Sequence, residues 1–382
     1  MSNDVAIIGI GLHPFGKFEG KTALDMAVDA IQDALKDAGI EWKDIQCAYG
    51  GSWHGGMGDS LVSRLGPTGI PFVNVFNGCA TAGSALTGVT HLIRLGEADI
   101  GLAVGFDKHE RGMFAAEPDI LGLPEWYADV GLMTTVQFFA MKTQRYMYDY
   151  NISKDCLIEV SIKNWFNGSL NPKAWRRKAF TREEIEHAMV VNDPFTKYMV
   201  CSPSEGAAAM VLCRADMARR FTSKPIYIKA SVLRTRKYES FEVFNPCVPI
   251  GKLGTPVELA SKAAFEQAGV DPKDIQIAQV QDAEAGHEIM HMAETGLCQH
   301  GEQEKLIKEG ATRINGRLPI NTDGGLMANG EPVGASGLRQ VYEVCLQMRG
   351  EAGPRQVQND PKLGLCQVYG APGVSNVVIL QK

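Results

Sequence analysis

Apolar positions along this chain follow two rhythms, short continuous runs and spaced helical stripes. "VAIIGIG" (5–11) is a run rich in Val and Ile, closed by glycine, which predicts a buried strand. Residues 22–39 place Leu24, Val28, Ile31 and Leu35 at helical spacing, and Gly39 follows as a cap. The pattern returns downstream. "ALKDAGIEWKDIQ" (34–46) is matched by "AFEQAGVDPKDIQ" (264–276) at a constant offset of 230. Each copy is an amphipathic helix ending in Ala-Gly, a short turn, then Asp-Ile-Gln leading into a strand. Both lie in strand–helix–strand settings. This predicts a duplicated α/β chain with halves at roughly 1–240 and 241–382, each built around its own sheet.

Between the strands "ADIGLAVG" (98–105) and "EGAAAMVLC" (205–213) the alternation is lost. This segment, about 106–204, is rich in aromatic and Met residues, among them Trp126, Tyr127, Met133, Phe138, Phe139 and Tyr146. It also holds the basic cluster "KAWRRKAF" (173–180). An insertion of this kind is expected to lie over one half and to supply substrate-binding surface.

Composition narrows the function. The length of 382 residues suits two domains or one duplicated unit. A formal net charge of −6 carries no nucleic-acid footprint. No apolar run approaches the ~20 residues of a membrane helix. The start "MSNDVAIIGIG" lacks the basic and cleavage signals of a secretory leader, so a cytoplasmic protein is expected. The nine cysteines are odd in number and scattered, with no CxxC pair. Reduced thiols follow, with neither a disulfide framework nor a zinc ribbon in this chain.

Several motifs invite chemistry. Gly9, Gly11 and Gly16 do not match G-x-G-x-x-G, which argues against a dinucleotide site. "HEIMH" (287–291) fits H-E-x-x-H, which would place His287 and His291 on one helix face for zinc, with Glu288 as base. A third ligand would have to come from Glu294, Glu302 or Glu304, and the plainer reading is a pair of partly buried helix residues. "VFNGCATAGSALTG" (75–88) sets Cys79 where a strand gives way to a helix, followed by small residues only. A thiol at a helix start is biased toward thiolate, and small residues admit a substrate or a second helix. "INTDGGLMANGEPVGASGLRQVYEV" (320–344) runs from a strand through a Gly-rich loop, with Glu331 at its centre, into a helix. "GLCQVYGAPGVSNVVIL" (364–380) forms strand, glycine turn and strand, carrying Cys366, Gln367 and Tyr369.

Taken in order, these motifs resemble the thiolase superfamily, in the branch related to sterol-carrier-protein thiolases. "NGCATAGSAL" is similar to that branch's nucleophile segment and "SEGAAAMVL" to its Ser-Asp-Gly-Ala-Ala strand. "NGEPVGASG" is similar to its Gly-His-Pro-x-Gly-x-Ser-Gly loop, and "QDAEAGHE" lies where the branch has His-Asp-Cys-Phe-x-x-Asn-Glu. The resemblance implies an α/β thiolase fold, a duplicated five-layered α-β-α-β-α architecture with mixed sheets. It also implies a dimer and acyl-CoA chemistry, with coenzyme A as substrate and no cofactor or metal bound in the chain. Cys79 would accept the acyl group, and its backbone N–H with one from the turn at Gly370 would form an oxyanion hole. Ser336 lies in the loop that would line the substrate site.

Three departures stand out. Glu331 replaces the histidine that activates the nucleophile, Gln281 replaces the histidine of His-Asp-Cys-Phe, and the C-terminal Cys-x-Gly is not intact. Similar losses occur in a sub-branch whose members work with a small OB-fold, zinc-ribbon subunit, which implies a homodimeric core extended to a heterotetramer. The reading that follows is a thiolase for a bulky or aromatic β-oxoacyl-CoA, for example benzoylsuccinyl-CoA. Cys79 would be the nucleophile, Gln281 would hold the enolate, and Glu331, Cys366, Tyr369 and His287 would be the acid candidates in falling order. Arg176, Arg177 and Lys178 would hold CoA phosphates. The alternatives are an aldolase on the same scaffold acting on a β-hydroxyacyl-CoA, a non-catalytic scaffold subunit and, remotely, the zinc hydrolase.

Overall fold

The first elements follow the expected order. The computed structural model describes residues 4–238, 240, 242–244 and 254–382. Strand β1 (Val5–Gly16) leads into helix α1 (Ala23–Ala38), then β2 (Cys47–Gly51), α2 (Ser60–Leu65), β3 (Phe72–Asn74), α3 (Thr81–Leu95) and β4 (Ile100–Lys108). Next come α4 (Trp126–Asp129), α5 (Thr135–Tyr150), α6 (Lys154–Ser169) and α7 (Arg182–Glu186), with β5 (Val190–Asn192) and β6 (Phe195–Thr196). Strands β7 (Glu205–Arg214) and β8 (Ile226–Thr235) follow, then α8 (Pro256–Ala268), β9 (Ile277–Val280), α9 (Ala285–Glu294), α10 (Gln303–Lys308) and α11 (Gly325–Asn329). Helix α12 (Ser336–Arg349), β10 (Leu363–Gly370) and β11 (Val374–Gln381) close the chain.

The repeat at offset 230 is a structural repeat. Thr22 caps α1 in a reciprocal box with Asp25, and Thr255 caps α8 with Glu258. Gly39 and Gly269 end these helices in the left-handed conformation, each at φ 67°. A single 3-10 turn follows in each case, at Trp42–Asp44 and at Pro272–Asp274, and then β2 or β9. The buried stripe of α1 differs from expectation. Ala27, Ala30 and Ala34 lie against the sheet, while Leu24 and Val28 are half-buried at its margin. Small side chains let the helix lie close to the strands, and the larger ones seal its edge.

Strand order carries the duplication further. The order is β3-β2-β4-β7-β1-β8-β11-β10-β9. From β1 outward, pairing runs antiparallel to β7, antiparallel to β4 and parallel to β2. From β8 outward, it runs antiparallel to β11, antiparallel to β10 and parallel to β9. The separate sheets expected for the two halves are joined. β1 and β8 pair through Val5–Ile7 and Ile226–Ile228, so neither strand keeps a bare edge there. β8 lies before residue 240 in the chain and stands among the second set of strands; the expected junction at 241 lies outside the described residues.

Three apolar layers result. One lies between α1 and the β1–β4–β7 face. A central one surrounds α3 and α12, and a third joins α6, α8 and α9 to β8–β11. Alternate residues of β1 serve two layers: Ala6 and Ile8 face α1, while Val5 and Ile7 face the centre. That accounts for its unbroken apolar run. The aromatic segment forms α4–α7, and its helices α5 and α6 pack on α9 and α11 of the second half.

Candidate active site

Cys79 stands in the turn between β3 and α3. Ala80 is the N-cap residue, so the thiol lies just outside the helix rather than in its first turn. The turn is held by its own polar groups. Thr81 Oγ1 donates to Gly78 O at 2.6 Å and accepts from Asn77 N at 2.9 Å, and Asn77 Nδ2 donates to Ser84 Oγ at 2.8 Å. The small residues after Cys79 serve helix packing. A Cβ on Gly337 would come within 2.9 Å of Gly83 N, so α3 and α12 meet almost backbone to backbone. A Cβ on Gly370 would lie 1.9 Å from Asn77 O, which presses the 370–372 turn against the nucleophile turn.

The thiol opens into a cavity of about 320 Å³. Trp53, Phe76, Phe114 and Phe139 give it aromatic walls, and Trp53 and Phe114 stack with ring centres 6.3 Å apart. Glu331 and Gln281 reach it from two loops of the second half. Gln281 is locked: Nε2 donates to Glu331 Oε1 at 3.1 Å, and Oε1 accepts from Tyr369 N. The Glu331 backbone is clamped as well, its N–H donating to Ser202 O at 2.9 Å. Asp107, fully buried on β4, accepts from Gly334 N at 2.7 Å and from Trp53 N and His54 N, tying this loop to the first half.

Electrostatics at Cys79 run against the sequence expectation. Burial, reinforced by the Glu331 carboxyl, holds the thiol well above the ordinary range, and the helix start does not offset this. Burial also raises Glu331 above the usual carboxylate range, opposed by hydrogen bonds from Cys79 and Cys201. The pair at rest is a thiol beside a carboxyl that can accept its proton.

The other candidates separate cleanly. Tyr369 lines the cavity, with its hydroxyl donating to Glu242 Oε2 at 2.7 Å. His287 lines it too, its Nδ1 2.6 Å from Glu284 Oε2 and its ring stacked on His291 at 5.0 Å. Cys366 is a correction. Strand alternation points Leu365, Gln367 and Tyr369 one way and Cys366 the other, into the core around α12. Ser336 is also buried away from the cavity, donating to Pro332 O at 3.3 Å. Gly370 acts through the turn packing described above; its neighbours Ala371 and Pro372 line the wall. Arg176 turns inward to Ser202 Oγ at 2.9 Å and stacks on Trp175, while Arg177 is exposed and Lys178 pairs with Glu184 at 2.8 Å.

The H-E-x-x-H reading fails on Glu288. Its carboxylate pairs with Lys163 at 3.0 Å and accepts from Asn164 and Asn321, fully buried away from the histidines' face. Of the third-ligand candidates, Glu302 accepts from Gln299 N and Glu304 pairs with Lys308 and Ser153. Sequence reasoning passed over Cys201 and Glu284, both on the cavity wall. Each adjoins a quoted motif, Cys201 just before "SEGAAAMVL" and Glu284 within "QDAEAGHE".

Comparison with known proteins places this geometry. Residues 5–216 match the family model described as "Thiolase, N-terminal domain", and residues 252–382 match "Thiolase C-terminal domain-like". An acetyl-CoA acetyltransferase of Methanothermobacter thermautotrophicus is 34% identical, covering 97% of each chain. Sterol carrier protein 2 of Gallus gallus is 32% identical over 94% of this chain and 68% of that one. Benzoylsuccinyl-CoA thiolase subunit BbsB of Thauera aromatica is 29% identical over 97% of this chain and 95% of that one. A solved structure described as an Ltp2-ChsH2(DUF35) aldolase superposes with a TM-score of 0.88 at 24% identity, covering 99% and 98% of the two chains, a likeness of fold.

Proposed function

The chain belongs to the thiolase family, and from that premise we propose that it cleaves a bulky or aromatic β-oxoacyl-CoA with CoA through an acyl-enzyme on Cys79. It is an acyl-CoA C-acyltransferase. The observation that carries the finer reading is the convergence of Cys79, Glu331 and Gln281 in one aromatic-walled cavity. Glu331 takes the thiol proton, the sulfur attacks the β-oxo carbon, and the Cα–Cβ bond breaks. Gln281 and backbone N–H groups near Gly370 stabilise the oxyanions. Incoming CoA then releases the acyl group.

The lining favours a neutral aryl or branched acyl group. The acidic side chains among the described lining residues are Glu117, Glu284 and Glu331, and no lysine or arginine stands among those residues, so a free carboxylate such as that of benzoylsuccinyl-CoA would be buried among acids. A second cleft shares Trp53, His54, Phe114 and Ala115 with the cavity and carries Lys108, Arg111 and Glu110. This reading moves the CoA phosphates toward Arg111, because Arg176 and Lys178 already have partners and Lys108 is held by Phe18 O, Lys21 O and Glu205.

The chain acts, in this reading, as a cytoplasmic homodimer joined by a small OB-fold, zinc-ribbon subunit in a heterotetramer. The subunit status of the Thauera relative and the DUF35 chain in the aldolase structure support this. Eight described cysteines are free thiols, as a reducing compartment requires. No helix among the described residues is long and apolar enough to cross a membrane. Tyr369 and Glu284 in the cavity favour the aldolase as second reading, with either taking a proton from a β-hydroxyl. Chromatography of the CoA products from 3-oxo-3-phenylpropanoyl-CoA decides. Thiolysis releases benzoyl-CoA, and acetyl-CoA beyond one equivalent per site, only when CoA is added, and Cys79→Ala gives neither. CoA-independent cleavage of the 3-hydroxy ester by Cys79→Ala would support the aldolase.

A further inference from the structure

Glu331 has a second thiol beside it. Cys201 Sγ donates to Glu331 Oε2 at 3.5 Å, while Gln281 occupies Oε1 at 3.1 Å. Cys201 lines the same cavity as Cys79. Its segment is stitched between the two loops that carry the site. Val200 bridges to Glu284, Cys201 N donates to Ala283 O at 2.7 Å, and Pro203 bridges to Glu331. These two backbone bridges, to either side of the sulfur's own residue, fix it in place. Beside it, Glu284 lies on the cavity wall more than nine-tenths buried, its Oε2 2.6 Å from His287 Nδ1. Cys366, the other thiol near the chain end, faces the core around α12.

We propose that Cys201 is the second proton-transfer group of the reaction, giving its proton to the α-carbon and recovering one from incoming CoA. The inference rests on the thiolase reading above. The steps balance. Glu331 accepts the Cys79 proton as the sulfur bonds to the β-oxo carbon. The Cα–Cβ bond breaks with its electron pair on the α-carbon, and Cys201 Sγ–H protonates that carbon, leaving a thiolate. The product acyl-CoA departs. CoA–SH passes its proton to the Cys201 thiolate and attacks the acyl group, and Cys79 leaves as thiolate to take its proton back from Glu331. Burial and the Glu331 charge hold the resting Cys201 thiol well above its usual range, so it waits as a donor.

The test uses the full chain and two probes. A 4-nitrophenyl acyl ester acylates Cys79 without a proton donor, because its leaving anion is stable. Exchange of the acetyl-CoA α-hydrogens in deuterated buffer reports Cys201. Cys201→Ala is expected to keep 4-nitrophenolate release within about threefold of wild type and to lose about 100-fold or more in α-exchange and thiolysis. Cys201→Ser, closer in size, is expected to fold like wild type and lose exchange to an intermediate extent, which serves if the alanine variant does not fold. Exchange and thiolysis within threefold of wild type in both variants would overturn the role of Cys201 alone. If wild type itself neither acylates Cys79 nor cleaves β-oxoacyl-CoA, the thiolase reading falls and Cys201 with it.

Discussion

The turns that precede α3 and α12 hold matching places in the two halves and carry opposite chemistry. Before α3 stands a thiol, Cys79, on a turn locked by Thr81 and Ser84. Before α12 stands a carboxyl, Glu331, on a loop locked by Asp107 and Ser202. Both helices pack in the same central layer, and their small residues bring the two turns to one cavity. Duplication supplied the scaffold twice. In the proposed reaction the chemistry comes from the places where the copies differ: a nucleophile from one half, a proton acceptor from the other.

Breaking the first-half turn should cost most. Cys79→Ala is expected to lower kcat/KM on the order of 10⁴-fold and to leave the melting temperature nearly unchanged, read by steady-state kinetics and calorimetry. Removing the second-half carboxyl should cost less. Glu331→Gln is expected to lose about 10²- to 10³-fold. Burial raises Glu331 above the usual carboxylate range, so if it is the base, as proposed, wild-type kcat/KM should rise with pH through that raised value. The glutamine variant should lose this limb.

The contact between halves can be tested at Gly370. Gly370→Ala forces a Cβ against Asn77 O and should destabilise by about 1–3 kcal/mol in urea, with the Cys79 turn displaced. The aromatic wall comes next. Phe114→Ala should cut the preference for an aryl over an acetoacetyl substrate about tenfold, measured as a ratio of kcat/KM values. The smallest effect concerns Glu284. Burial raises its pKa, so the folded chain keeps a proton that the unfolded chain releases above the ordinary glutamate value. Stability therefore falls as pH rises from that value toward the raised one, and Glu284→Gln should flatten the dependence of Tm on pH.

Much of the scaffold was legible because local signals agreed with the fold. The Ala-Gly helix ends, the turns after them and the Val/Ile runs each specify one element, and their recurrence at offset 230 specified the duplication. The joining of the strands at β1 and β8 was not legible, since three residue pairs leave no pattern in either strand. At the site, Cys79, Gln281, Glu331, Tyr369 and His287 were named from motifs, and all reach the cavity. Cys366 was misplaced because strand phase decides which of two neighbouring residues faces a site, and "GLCQVYG" carries apolar residues on both faces. Cys201 escaped notice because its position depends on bridges to loops about 80 and 130 residues away, which no local spacing encodes.

The most direct test is the intact mass of the protein after brief mixing with 3-oxo-3-phenylpropanoyl-CoA in the absence of free CoA. The account predicts a benzoyl adduct that peptide mapping places on Cys79 and that added CoA discharges as benzoyl-CoA. An unmodified protein that still cleaves substrate, with Cys79→Ala fully active, would contradict it.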